Sequence, residues 1–165
     1  MGHPAGAASA QGRGAVDMDG YKWALRPATE ADYDFLYRLH VVTMKDYVAA
    51  LWGWDEAVQQ RIFRGRFNPA RRQIIVVNGE DAGDLQVELG ESELFVSSIH
   101  ILPEYQGRGI GTAVLRDILQ EARAASLPVG LRVLKSNPAL RFYERLGFTV
   151  IDEIDTHYHI TIFAL

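Results

Sequence analysis

Apolar positions along the chain recur with two different periods, and the changes of period mark out its elements. Val114, Leu115, Ile118, Leu119 and Ala122 fall on one stripe at 3.6-residue spacing, which predicts an amphipathic helix over 109–126. Phe35, Leu36, Leu39 and Val42 do the same for a helix over 30–44, with Thr29 at its N-terminus and Pro27 ending a short strand over 21–26. A further helix over 55–63 follows the Trp52-Gly53-Trp54 turn. Runs at 73–77 and 84–89 flank Asn78-Gly79 and Gly83 as a hairpin, and a third antiparallel partner over 93–101 follows Gly90. Residues 128–134 form an apolar run of buried-strand type, 137–146 a short helix, and 149–154 with 158–165 a terminal hairpin. Strands and helices interleaved in this order predict a mixed α/β (α+β) domain whose central sheet is covered by helices on both faces.

The chain has 165 residues, 48% of them hydrophobic, which suits one compact domain over 21–165. The first twenty residues are rich in Gly, Ala and Ser and lack a signal-type apolar run, so a disordered tail is expected there. No segment approaches the roughly 18 consecutive apolar residues of a membrane-spanning helix. A formal charge of −4 provides no general basic field for nucleic acid or an anionic membrane. With no cysteine, thiolate metal sites and Cys nucleophiles are excluded, and a cytoplasmic address is expected.

The chemistry concentrates in Ile99-His100-Ile101 and the turn that follows, Gln106-Gly107-Arg108-Gly109-Ile110-Gly111-Thr112, where an apolar strand runs through glycines into the best helix. The first amides of a helix have no internal partners and carry the positive end of its dipole, so this junction suits a pyrophosphate. The run matches neither the dinucleotide fingerprint nor the Walker phosphate loop. A second element, from Asn137-Pro138 through Phe142-Tyr143 to Gly147-Phe148, also reads as a well-capped helix with its aromatics in the core.

Together the two elements resemble the GNAT superfamily of acetyl-CoA-dependent N-acetyltransferases, with Gln106-Gly107-Arg108-Gly109-Ile110-Gly111 standing at its pyrophosphate loop and Asn137 to Phe148 at its second CoA-side motif. The resemblance implies a mostly antiparallel, twisted sheet splayed between its fourth strand, 93–101, and its fifth, 128–134. It implies that the amides of Gly107 to Thr112 and the side chain of Arg108 hold the pyrophosphate of acetyl-CoA. The backbone of Ile99, His100 and Ile101 would pair with the pantetheine arm, Asn137 would touch the cofactor from the far side, and Tyr143 would protonate the departing thiolate as general acid.

The implied reaction is direct attack of a primary amine, on a small molecule or peptide, at the thioester carbonyl. A base must first take the amine's proton, and here the chain departs from its relatives: their base positions fall on Phe95, Ser97 and Arg132. Glu93 shares the strand parity of Phe95 and Ser97 and is the leading candidate base, with His100, of opposite parity, second. His157 and His159 alternate in the last hairpin, where they could flank the acceptor, and no third ligand suggests a metal. The loop over 45–54, with Tyr47, Trp52 and Trp54 beside Asp46 and Asp55, is expected with Ser97 to receive a cationic amine. The missing base also motivates an alternative, a non-catalytic acyl-CoA sensor or interaction module. A homodimer is compatible with the pattern.

Overall fold

The computed structural model describes residues 15–16 and 20–163, so most of the expected tail and the last two residues of the expected final strand lie outside the described residues. One sheet organises the chain. In sequence its strands are β1 (Ala15–Val16), β2 (Lys22–Pro27), β3 (Gln73–Val77), β4 (Glu80–Leu89), β5 (Leu94–Ile101), β6 (Pro128–Leu134), β7 (Thr149–Glu153) and β8 (His157–Phe163). In space their order is β1-β2-β3-β4-β5-β6-β8-β7. Every neighbouring pair is antiparallel except β5 with β6, which α3 (Ile110–Ala124) connects as a crossover. Within the segment read as a tail, Ala15 and Val16 pair with Trp23 and Lys22.

The two faces carry different helices. α3 lays Val114, Leu115, Ile118 and Ala122 against Ile75, Val77, Leu85, Leu94, Val96 and Val129, and this is the larger core. Opposite it, α1 (Tyr33–Trp52) and α2 (Glu56–Arg66) close a smaller cluster in which Leu36 and Leu39 meet Ile74 and Leu102, with Phe63 and Phe67 at its margin.

α1 is two turns longer than the sequence predicts. Residues 45–52 contain good helix formers and no breaker, so the helix continues until Gly53, whose φ of 75° ends it. The expected 45–54 acceptor loop therefore shrinks to a short link, and Val42, assigned to the apolar stripe, stands half exposed. α2 begins one residue late because Asp55 is its N-cap, its carboxylate accepting the Val58 amide at 3.0 Å. The β3–β4 hairpin turns at Asn78-Gly79, both at positive φ as a type I′ turn requires, and β4 starts four residues earlier than expected. α4 (Leu140–Arg145) is a single short helix beside the first turn of α3, where a Cβ on Gly111 would stand 3.9 Å from the Phe142 ring.

Two irregularities position the site. β5 pairs with β6 only at Leu94, Phe95 and Val96, so from Ser97 onward the two strands have no common ladder. β5 also carries one residue more than β4 across the same span: Gln86 faces Ser98, Val87 faces Val96, and Ser97 has no partner. The bulge is backed by a close approach at Gly83, where any Cβ would lie 2.2 Å from the His100 carbonyl oxygen.

Candidate active site

Strand parity reverses at the bulge, and this corrects the placement of His100, while Glu93, before the bulge, keeps the side of Phe95. Leu94 and Val96 face α3 before it, and Ile99 and Ile101 face the same core after it. His100 consequently shares the α1 side of the sheet with Phe95 instead of opposing it.

On that side His100 belongs to a buried polar knot. Asp84, with no exposed surface, accepts hydrogen bonds from Arg72 and from the Ser98 hydroxyl (2.8 Å), and its other oxygen lies 2.8 Å from His100 Nδ1. Burial pushes the Asp84 carboxyl up, but the facing His100 and Arg72 charges and these hydrogen bonds outweigh it and hold the group below the usual carboxylate range. His40 of α1 lies nearby among Trp54 and Phe63, and its removal from water holds it below the ordinary histidine value. Neither Asp84 nor His40 is singled out by the sequence. An aspartate in mid-strand looks solvated until its cross-strand partner proves to be a histidine.

Glu93 lies just before β5, with its carboxylate over Gly130 of β6, whose absent side chain leaves the space it fills: a Cβ there would be 2.2 Å from Glu93 Oε2. The same oxygen is 3.7 Å from Nε2 of His159 on β8. His159 sits edge-on to Phe95, its ring centroid 6.4 Å away, and the Arg132 guanidinium lies 5.9 Å from the Phe95 ring. Arg132, Asp152, Glu153, Ile154, His157 and His159 line a shallow pocket here. Desolvation, with the Arg132 charge, holds His157 below its usual value. Trp52 reaches this edge, 59% exposed and 6.2 Å from the His157 ring.

The other expected acceptor residues do not converge on the pocket. Trp54 donates its indole N–H to Glu56 and packs between His40 and Lys45, Tyr47 accepts the Ser136 hydroxyl through its carbonyl, and Asp55 caps α2. Ser97 stands exposed where β5 and β6 part, its hydroxyl donating to the Gln86 carbonyl.

At the far end of β5, Gly107 and Gly109 adopt φ of 73° and 80°, and Gly109 is the N-cap of α3. A Cβ on Gly109 would meet nothing within 4 Å, so the turn presents backbone amides to open space at the positive end of a 15-residue helix. Gln106 ties the turn to the strand by donating to the Ile101 carbonyl at 2.8 Å. Arg108 donates to the Tyr21 hydroxyl at 3.1 Å and lies over the Tyr21 and Tyr105 rings. Asn137 accepts the Ala139 amide at 2.9 Å, initiating the turn into α4. Tyr143 packs edge-on against Phe142 and Phe148, and burial pushes its phenol up to about 12. Among the described residues no group of three or more His, Asp or Glu side chains is placed to hold a metal ion, and no described helix is long and apolar enough to cross a membrane.

Residues 70–150 match the family model of the acetyltransferase (GNAT) domain. The fold is shared with the PaiA N-acetyltransferase of Thermoplasma acidophilum, solved in complex with coenzyme A, at a TM-score of 0.70 and 14% identity over 86% of this chain and 98% of that one. The ribosomal-protein-S18-alanine N-acetyltransferase of Escherichia coli superposes at 0.62 and 18% identity, over 86% and 94% of the two chains. Arabidopsis thaliana Naa50, in complex with the bisubstrate analogue CoA-Ac-MVNAL, superposes at 0.58 and 17%, over 85% and 97%. With the parted strands, the glycine turn opening α3 and the domain match in one chain, the protein belongs to the GNAT acetyltransferase superfamily.

Proposed function

We propose that the protein is an N-acetyltransferase that moves an acetyl group from acetyl-CoA to a primary amine of a small molecule or peptide. One observation carries this reading: the edge of β5 left without a partner from Ser97 onward leads directly into the open amides of Gly107 to Thr112. An extended pantetheine arm can add to such an edge as a strand would, and the dipole of α3 suits the pyrophosphate beyond it. Acetyl-CoA supplies the activated acyl group, and the fit of this chain to it rests on the bare glycine turn. Coenzyme A in the Thermoplasma neighbour and the CoA–peptide conjugate in the Arabidopsis one support the same substrate pair.

In this reading Ser97 to Ile101 align the arm, the exposed amide edge polarises the thioester carbonyl, and the amine approaches from the α1 side beside Phe95. The C–N bond forms as the C–S bond breaks, the ammonium form of the amine losing two protons overall while the thiolate gains one. Tyr143 serves the sulfur. A phenol near 12 keeps its proton at neutral pH and so is available to the departing sulfur, first as a hydrogen-bond donor and then as the proton source once the C–S bond has broken.

Calorimetric titration with acetyl-CoA and CoA tests the reading. Wild type binds saturably, and Gly109→Asp, which sets a carboxylate against the pyrophosphate, loses that binding while its circular dichroism is retained. No binding by the folded wild type overturns the proposal. Binding without release of thiol in the presence of any amine favours an acyl-CoA sensor instead.

A further inference from the structure

His159 has an unusual environment for a histidine in a sheet. Its Nε2 is buried and has no hydrogen-bond partner, yet a carboxylate oxygen of Glu93 lies 3.7 Å away. A buried ring nitrogen left unpaired is costly, and a slight closure of this gap would make the bond. The side chain as a whole remains 27% exposed, so the accessible part of the ring excludes Nε2 and borders the pocket.

The location also matters. His159 pairs across the ladder with Arg132, the first β6 residue beyond the last β5–β6 pair, and thus lies one strand from the point where β5 and β6 part. Arg132 is the fifth-strand position at which the chain lacks a base. The charged and titratable groups around the ring and its pocket are Glu93 beneath it, Arg132 on one neighbouring strand, Asp152 and Glu153 on the other, and His157 two residues away.

We infer that His159 is the base that takes the amine's proton, and that Glu93 is its positioning residue rather than the base itself. The inference rests on the acetyl-transfer reading above. Glu93 accepts Nε2–H, which fixes the tautomer and leaves Nδ1 with its lone pair toward the pocket. An alkylammonium gives one proton to Nδ1, and the imidazolium releases it to water between turnovers. The neutral amine then attacks, and the second proton leaves the nitrogen of the tetrahedral intermediate as the sulfur acquires one from Tyr143, whose phenolate recovers it through water. The sum is ammonium plus acetyl thioester giving amide, thiol and one proton.

Two measurements decide it. In 15N-histidine-labelled protein above pH 8, His159 should show a protonated Nε2 and an unprotonated Nδ1, and Glu93→Gln should mix the tautomers. The opposite tautomer in wild type overturns the inference. In thiol-release assays with tyramine, spermidine and a peptide bearing a free amino terminus, His159→Gln should lower kcat about 10²–10⁴-fold at pH 7 with acetyl-CoA affinity unchanged. The loss should shrink as pH rises toward the amine's own pKa. A wild-type rate in His159→Gln overturns the inference while leaving acetyl transfer intact, whereas failure of wild type to bind acetyl-CoA overturns acetyl transfer itself.

Discussion

Two histidine–carboxylate couples lie on the same face of the same sheet and are built in opposite ways. Asp84 and His100 occupy adjacent central strands, their contact is 2.8 Å, and Arg72 and Ser98 complete the coordination of a carboxylate that has no access to water. Glu93 and His159 come from the end of one strand and the middle of another, their contact is 3.7 Å, and each side chain is more than a quarter exposed. A buried carboxylate whose two oxygens both have partners holds neighbouring strands in place and has little slack for a changing partner. A loose couple at a pocket can gain or lose a proton with little disturbance around it. Burial of a charge therefore separates these two pairs better than residue identity does.

The largest expected effect is on stability at the tight couple. Asp84→Ala leaves Arg72 buried without its acid and should cost about 3–5 kcal/mol, lowering Tm by roughly 10 °C in a thermal melt. If the melt is unchanged, the knot is not structural and the contrast fails. Next comes Tyr143→Phe, expected to lower kcat about 10²-fold while leaving the melt and the CoA affinity near wild type.

Glu93→Gln at the loose couple should alter stability by no more than about 1 kcal/mol, because the pair is partly solvated. A loss as large as that of Asp84→Ala would erase the distinction.

Acid titration sharpens the same comparison. The folded Asp84 carboxyl titrates below its unfolded value near about 3.9, so its contribution is complete above that pH and disappears as pH falls through the lower folded value. His40 works over a milder range. Its folded pKa lies below about 6.5, so the unfolded chain binds the proton more readily and stability declines as pH falls from there, with His157 contributing in the same direction. Denaturant midpoints between pH 5 and 7 should slope less in His40→Phe than in wild type.

Much of this was visible in the sequence. Glycines 107, 109 and 111 before a clean amphipathic stripe, and Asn137 to Phe148 one helix later, carried both the family and the fold, since turn chemistry and helical period are local properties. Other features were nonlocal. Whether residues 45–52 would form a loop or extend α1 depended on reading helix formers against an aromatic-rich segment that looked like a binding loop. Asp84 revealed itself only through Ser98 and His100, brought in by strand pairing, and Arg72, at the entry to β3. Glu93 was marked out, but its partner His159 is 66 positions away and adjoins it only because Gly130 has no side chain to separate them.

The parity of His100 failed for a different reason: alternation assumes an unbroken pleat, and no residue type in Val96-Ser97-Ser98-Ile99 announces a bulge. That extra residue makes β5 sensitive to length in a way its composition hides. Removing Ser97 would restore an even ladder with β4 and leave Ile99 and Ile101 toward α3, whereas pairing Ser97 in register would turn Ile99 and Ile101 toward α1 and His100 toward the core. Beyond Ser97 the strand should therefore accept exchanges of side chain more readily than the insertion or deletion of one residue. Among homologous chains, the spacing from Ser98 to Gly107 should vary less than the residues that fill it.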